Sequence, residues 1–183
     1  YFVRRAQGNL LIDSPRFHEG LARRIEELGG ARWMLLTHQD DVADHARYAE
    51  RLGCARVIHA DDAGALGEPP ELELRGQQPT SIDQGVLAVP TPGHTRGSAC
   101  FLVDGRQLFT GDHLAWSPGR GQLYAFRDAC WFDWEVQTRS MERLLEHGFE
   151  WVLPGHGRQA RFPAQRMRRE LQRCAAWMRD SAE

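Results

Sequence analysis

Four times along this chain a short apolar run stops in a polar turn that carries histidine or aspartate. The turns are Thr37-His-Gln-Asp-Asp-Val-Ala-Asp-His45, Thr91-Pro-Gly-His94-Thr-Arg-Gly-Ser98, Thr110-Gly-Asp112-His113-Leu114 and Leu153-Pro-Gly-His156-Gly157. Strand ends are where sites are usually built, because a rigid sheet can hold loop side chains in register. Gly93, Gly97, Gly111, Gly155 and Gly157 allow the backbone to fold tightly enough for neighbouring imidazoles and carboxylates to aim at one centre. Histidine and aspartate are ligands for zinc, iron and manganese alike.

The periodicity between these turns alternates between 2 and 3.6 residues. Tyr1 to Arg5 and Asn9 to Asp13 read as a strand pair, and Phe17, Leu21, Ile25 and Leu28 fall on one helical face that stops at Gly29-Gly30. Trp33 to Thr37 reads as a strand, Asp41 to Leu52 as a helix ended by Gly53, and Arg56 to Ala60 as another strand. The segment Gly64 to Ser81, with Pro69, Pro70 and Pro79, is mostly loop around an alternating edge strand, Glu71 to Arg75. In the second half, strands are expected over Val86 to Val89, Ala99 to Val103, Gln107 to Thr110 and Trp151 to Leu153, with Asp104-Gly105 as a hairpin turn. Helices are expected around Met141 to Leu145 and, after Pro163, along Met167, Leu171, Cys174 and Met178. The alternation without strict strand-helix-strand order predicts a layered α/β sandwich with helices outside.

Composition removes several classes of function. At 183 residues the chain has room for one domain, 1–183. Its 23 basic residues are all arginine, so Schiff-base chemistry and any phosphate loop that uses lysine are excluded. A net charge of -2 argues against nucleic acid and anionic membranes as partners. Cys54, Cys100, Cys130 and Cys174 form no Cys-x-x-Cys pair, and no apolar run spans a bilayer, so a reduced, cytoplasmic protein is expected.

The Pro-Gly-His-Thr, Thr-Gly-Asp and Pro-Gly-His triplets, in this order, resemble the metallo-β-lactamase superfamily, and within it the glyoxalase II-like branch. The resemblance covers nearly the whole chain and implies a four-layer αββα sandwich that holds one or two metals. Its first cluster departs from the family's His-x-His-x-Asp-His. The string Thr-His-x-Asp-Asp-Val-Ala-Asp-His is similar to a subgroup of plants and photosynthetic bacteria, some of whose members carry a ferredoxin-like domain upstream.

On a helix that begins at Asp41, Asp41 and His45 lie within roughly 40° of each other and can reach one ion together. Asp44 then projects elsewhere, three residues before Arg47, as a surface ion pair. Together with the resemblance this assigns His38, Asp40 and His94 to one metal, Asp41, His45 and His156 to the other, and Asp112 as the bridge. In a later helical register Asp44 pairs with His45 instead. Asp40 also has the reading of a helix N-cap, and His113 those of a partner that orients a ligand or an exposed strand-end residue.

Aspartate in place of the family's second histidine makes the first site harder, which favours iron or manganese over zinc. The expectation is a hydrolase in which two divalent ions activate a bridging hydroxide toward a small ester or thioester, with Asp41 and Asp112 as its catalytic carboxylates. The alternative is a nonheme diiron redox protein that works with a ferredoxin-like, iron-sulfur partner.

Overall fold

The computed structural model describes residues 1–181, and the chain divides into two compact units, Tyr1–Arg75 and Gly76–Glu183. Each unit has its own sheet and its own apolar core.

The first unit is a five-stranded sheet in sequential order: β1 (Phe2–Val3), β2 (Leu10–Ile12), β3 (Trp33–Leu35), β4 (Ala55–His59) and β5 (Leu72–Leu74). β1 and β2 are antiparallel, and the rest run parallel. The crossovers between the parallel strands carry α1 (Glu19–Glu27) and α2 (His45–Leu52). Ala22 and Ile25 of α1 and Tyr48 of α2 pack with Leu11, Met34, Leu36 and Ile58 in one buried cluster, so the 3.6-residue stripe of each helix meets one face of the sheet. Leu10, Ile12, Leu35 and Val57, at the alternate positions, are buried too, as expected for parallel strands.

The start of α2 differs from the helix expected over Asp41 to Leu52. Gln39–Asp41 forms a separate 3₁₀ turn. Ala43 takes a positive φ of 23°, which no right-handed helix accommodates. The α-helix therefore begins only at His45, with Asp44 at its N-cap position. Asp44 accepts a 2.6 Å hydrogen bond from the Phe17 amide in the approach to α1, which holds the two helix starts together. Asp41 and His45 thus share no helix, and the angular argument that paired them lapses. His18 is the N-cap of α1, its ring accepting from the Leu21 amide at 3.3 Å, which satisfies one of the free donors at the helix start.

The second unit is a six-stranded sheet built from β6 (Thr80–Asp83), β7 (Val86–Pro90), β8 (Ala99–Val103), β9 (Gln107–Gly111), β12 (Trp151–Pro154) and β13 (Ala160–Arg161). Its order is β13-β12-β9-β8-β7-β6, antiparallel except for the β9-β12 pair. A two-stranded ribbon, β10 (Ala115–Ser117) with β11 (Gln122–Tyr124), lies between β9 and β12 in sequence, where the sequence pattern shows only an aromatic-rich stretch. The helices are α3 (Trp134–Arg143) and α4 (Ala164–Asp180). Met141 of α3 and Met167, Leu171, Cys174 and Met178 of α4 bury against Val89, Cys100, Leu102, Leu108 and Val152 of the sheet. Among the described residues the four cysteines form no disulfide, and no helix is long and apolar enough to cross a membrane.

Leu171 is 1 % exposed at the centre of the second core. Leu171→Ala is expected to lower unfolding free energy by about 2–5 kcal/mol, measured as a shift in the urea midpoint at unchanged m-value.

Candidate metal centre

The donor residues fall into two groups, one in each unit. In the first unit, His38 follows β3 closely and is 1 % exposed. Its Nδ1 lies 2.9 Å from the hydroxyl of Thr37, and that hydroxyl lies 2.9 Å from Asp13, which also accepts from the Thr37 amide at 2.7 Å. The hydroxyl has one proton. With that proton given to Asp13, the oxygen accepts from His38 Nδ1–H, and the lone pair of the imidazole lies on Nε2. Asp13 ends β2 in a left-handed conformation, φ 58°, that aspartate and asparagine tolerate better than most residues. Burial pushes its carboxyl up to about 7 against the pull of the Thr37 hydrogen bonds.

Asp40 and Asp41 lie on the 3₁₀ turn that follows, and Asp41 Oδ2 is 4.0 Å from His38 Nε2. Ligand bonds of about 2.0–2.2 Å place two donors on one ion roughly 3–4 Å apart, so this pair has a spacing that a shared ion requires. Asp40 is exposed on the same turn.

His45 is placed differently. It is 5 % exposed, and its Nδ1 lies 3.3 Å from the Arg56 guanidinium. Burial and the Arg56 charge both lower its pKa. Arg56, with a side chain 7 % exposed, makes a paired contact with Glu71 at 3.0 and 2.7 Å and further bonds to Glu68 and to the Pro69 carbonyl.

In the second unit the Pro92-Gly93-His94 turn leaves β7 and rests on α3. Ser140 donates to the Pro92 carbonyl at 2.7 Å, and Gln137 donates to the carbonyl of His113 at 3.3 Å, so one helix supports both the His94 and the Asp112 turns. Gly93 has φ 149°, and a Cβ there would lie 2.2 Å from Gln137 Cβ. Only glycine fits such a backbone and such a close approach. His94 is 2 % exposed, and its Nδ1 hydrogen-bonds the Ala129 carbonyl at 2.5 Å. A carbonyl only accepts, so Nδ1 carries the proton and Nε2 the lone pair, as at His38.

The 127–133 loop is clamped to this turn. The amides of Trp131, Phe132 and Asp133 all donate to the carbonyls of Gly93 or His94, while the Trp131 and Phe132 side chains are 66 % and 41 % exposed. The Trp131 ring lies 6.3 Å from that of His94, and Arg96 lies over Phe132.

Asp112, at the end of β9, stands 3.9 Å from His94 Nε2 and 2.8 Å from Nδ1 of His156, whose turn follows the neighbouring strand β12. His94, Asp112 and His156 thus form a connected group of two imidazoles and one carboxylate, and their donor chemistry fits a divalent cation. His113 is not the exposed strand-end residue of one sequence reading. It is 1 % exposed, both ring nitrogens lack hydrogen bonds among the described residues, and burial beside His94 and Arg143 drives its pKa down to about 3, so it is neutral.

No family model matches the chain. A hydroxyacylglutathione hydrolase of Anaeromyxobacter dehalogenans (strain 2CP-C) is 37 % identical over 89 residues, 47 % of this chain and 34 % of that protein, so the match spans about a third of the relative's length. Among solved structures, a di-iron-bound form of TTHA1623 matches with a TM-score of 0.67 at 27 % identity over 88 % of both chains. The BLEG-1 B3 metallo-β-lactamase matches with a TM-score of 0.70 at 18 % identity, over 87 % of this chain and 86 % of that one.

Two outcomes test these local supports. Asp13→Asn keeps an acceptor and the left-handed backbone, whereas Asp13→Ala leaves the Thr37 amide without its partner and is expected to destabilise by about 1–3 kcal/mol in urea unfolding. Glu71 is held at a pKa of about 2, below its ordinary 4.5, by Arg56. Its contribution to stability is therefore complete above pH 4.5 and lost as pH falls through 2, so Glu71→Gln is expected to flatten the loss of melting temperature across that window.

Proposed function

Starting from the metallo-β-lactamase fold, we propose that this chain is a metal-dependent hydrolase of small esters or thioesters, with His38, Asp40, Asp41, His94, Asp112 and His156 as its metal ligands. The observation that carries the reading is that His38 and His94, both buried, each bind their Nδ1 proton to a fixed acceptor within their own unit, which orients Nε2 as a ligand nitrogen. The hydroxyacylglutathione hydrolase relative supports hydrolysis, and the di-iron neighbour supports a two-metal site with iron among its candidates. When bound, such ions lower the pKa of water toward neutrality and polarise the carbonyl to be cleaved.

The rest is work for the chain's own residues. The Thr37 hydroxyl and the Ala129 carbonyl set the two ring orientations, and Asp112, beside His94 and His156, would help hold the ions. Asp41 and Asp112 are assigned to take up the proton that the attacking water gives up. His113, neutral and buried, supplies no proton at ordinary pH. Trp131, exposed beside His94, gives the substrate an apolar edge to lie against. The alternative, a nonheme diiron redox protein with an iron-sulfur partner, draws on the same di-iron neighbour and on the acidic first cluster.

Elemental analysis of protein purified without added metal, followed by assay against thioesters, lactones and phosphodiesters, tests the proposal. Between about one and two metal equivalents per chain are expected, with hydrolysis and metal both lost in a His38→Ala/Asp112→Ala double variant. Unchanged metal in that variant overturns it, and redox-active iron without hydrolysis selects the alternative. Asp41→Asn is expected to reduce metal content, whereas Asp44→Asn, acting at the Phe17 amide, is expected to lower stability and leave metal in place.

A further inference from the structure

Among the ligands expected from the sequence, His45 has its Nδ1 engaged inside its own unit. Arg56 can only donate, so His45 Nδ1 accepts and the ring proton lies on Nε2. The guanidinium is equally committed. Its five N–H groups go to Glu71 twice and once each to Glu68, the Pro69 carbonyl and His45, so every donor has an acceptor. Turning His45 onto a metal would leave one of these buried donors without its partner and bring a divalent cation toward an arginine that never loses its charge. The loop reinforces the arrangement. Ala43 interrupts the helix between Asp41 and His45, and Asp44 is fixed on the Phe17 amide, so His45 starts its helix against Arg56 of β4.

We infer that His45 is a structural acceptor for Arg56 and not a metal ligand, which leaves the second ion with Asp41, His156 and the shared Asp112 and makes it the more weakly held of the two. This rests on the metal centre proposed above and specifies its asymmetry. The centre is short of one imidazole on one side, so it fills in two steps.

The test is zinc titration of the full chain labelled with ¹⁵N-histidine, followed by long-range ¹H–¹⁵N correlation of the ring nitrogens and by equilibrium dialysis. The expected result is that His38, His94 and His156 shift on metal addition while His45 keeps its Nε2–H pattern, and that the second zinc equivalent binds at least tenfold more weakly than the first. His45→Gln, used to assign the signal, is expected to retain wild-type zinc content with both affinities within about twofold. Should that variant fold poorly, the ring shifts of the wild-type protein decide alone. A His45 shift that tracks the first or second equivalent overturns the inference, as does single-affinity loading of two ions that loses one in His45→Gln. If no histidine moves, the metal centre itself falls and the inference falls with it, an outcome recognisable by the unmoved signals of His38 and His94.

Discussion

A buried imidazole has two nitrogens to account for, and the partner each one finds sorts the histidines of this protein. Where one nitrogen is bound to a fixed acceptor, as at His38 and His94, the ring's lone pair is oriented for the metal centre proposed above. Where one nitrogen accepts from a buried arginine, as at His45, the ring becomes a structural connector between α2 and β4. Where neither has a hydrogen bond and the ring is sealed from water, as at His113, the side chain is held neutral. The same residue type serves three purposes within one fold because its surroundings, more than its chemistry, decide which nitrogen carries the proton.

Those surroundings are arranged by the ends of strands. β2 and β3 are parallel neighbours, so Asp13 and Thr37 emerge side by side and can support His38. β9 and β12 are the one parallel pair among the described strands of the second sheet, and they deliver Asp112 and His156 to the same edge. α3 then acts as a common floor beneath the turns of His94 and Asp112, through Ser140 and Gln137. A shift of that helix moves both turns together, so substitutions in the two turns should not be energetically independent.

Much of this was legible in the residues. The apolar runs and their glycine-rich ends located β3, β7, β8, β9 and β12, the 3.6-residue stripes located α1 and α4, and the triplets around His94, Asp112 and His156 pointed to a centre of histidine and carboxylate. Three features were not. The pairing of Asp41 with His45 assumed an unbroken helix, and nothing in an Asp-Val-Ala-Asp string announces a positive φ at alanine. Asp13 looked like a strand terminus, because its partner Thr37 lies 24 residues on and only the parallel register of β2 and β3 brings them together. Arg56 sits in a strand whose acceptors, Glu68 and Glu71, come from a proline-bounded loop, and such a network has no periodic signature. In each case the missing information was a backbone conformation or a long-range contact, which local pattern does not encode.

The strap formed by residues 127–133 combines a fixed backbone with an exposed ring. The Trp131 amide is tied to His94 while its indole stands in solvent 6.3 Å from that imidazole. The protein thus carries an indole emitter beside the proposed centre, on a backbone hydrogen-bonded to the His94 turn. A paramagnetic or quenching ion held by His94 would dim Trp131 more than the tryptophans packed around α4, so the light this protein emits can register what its histidines hold.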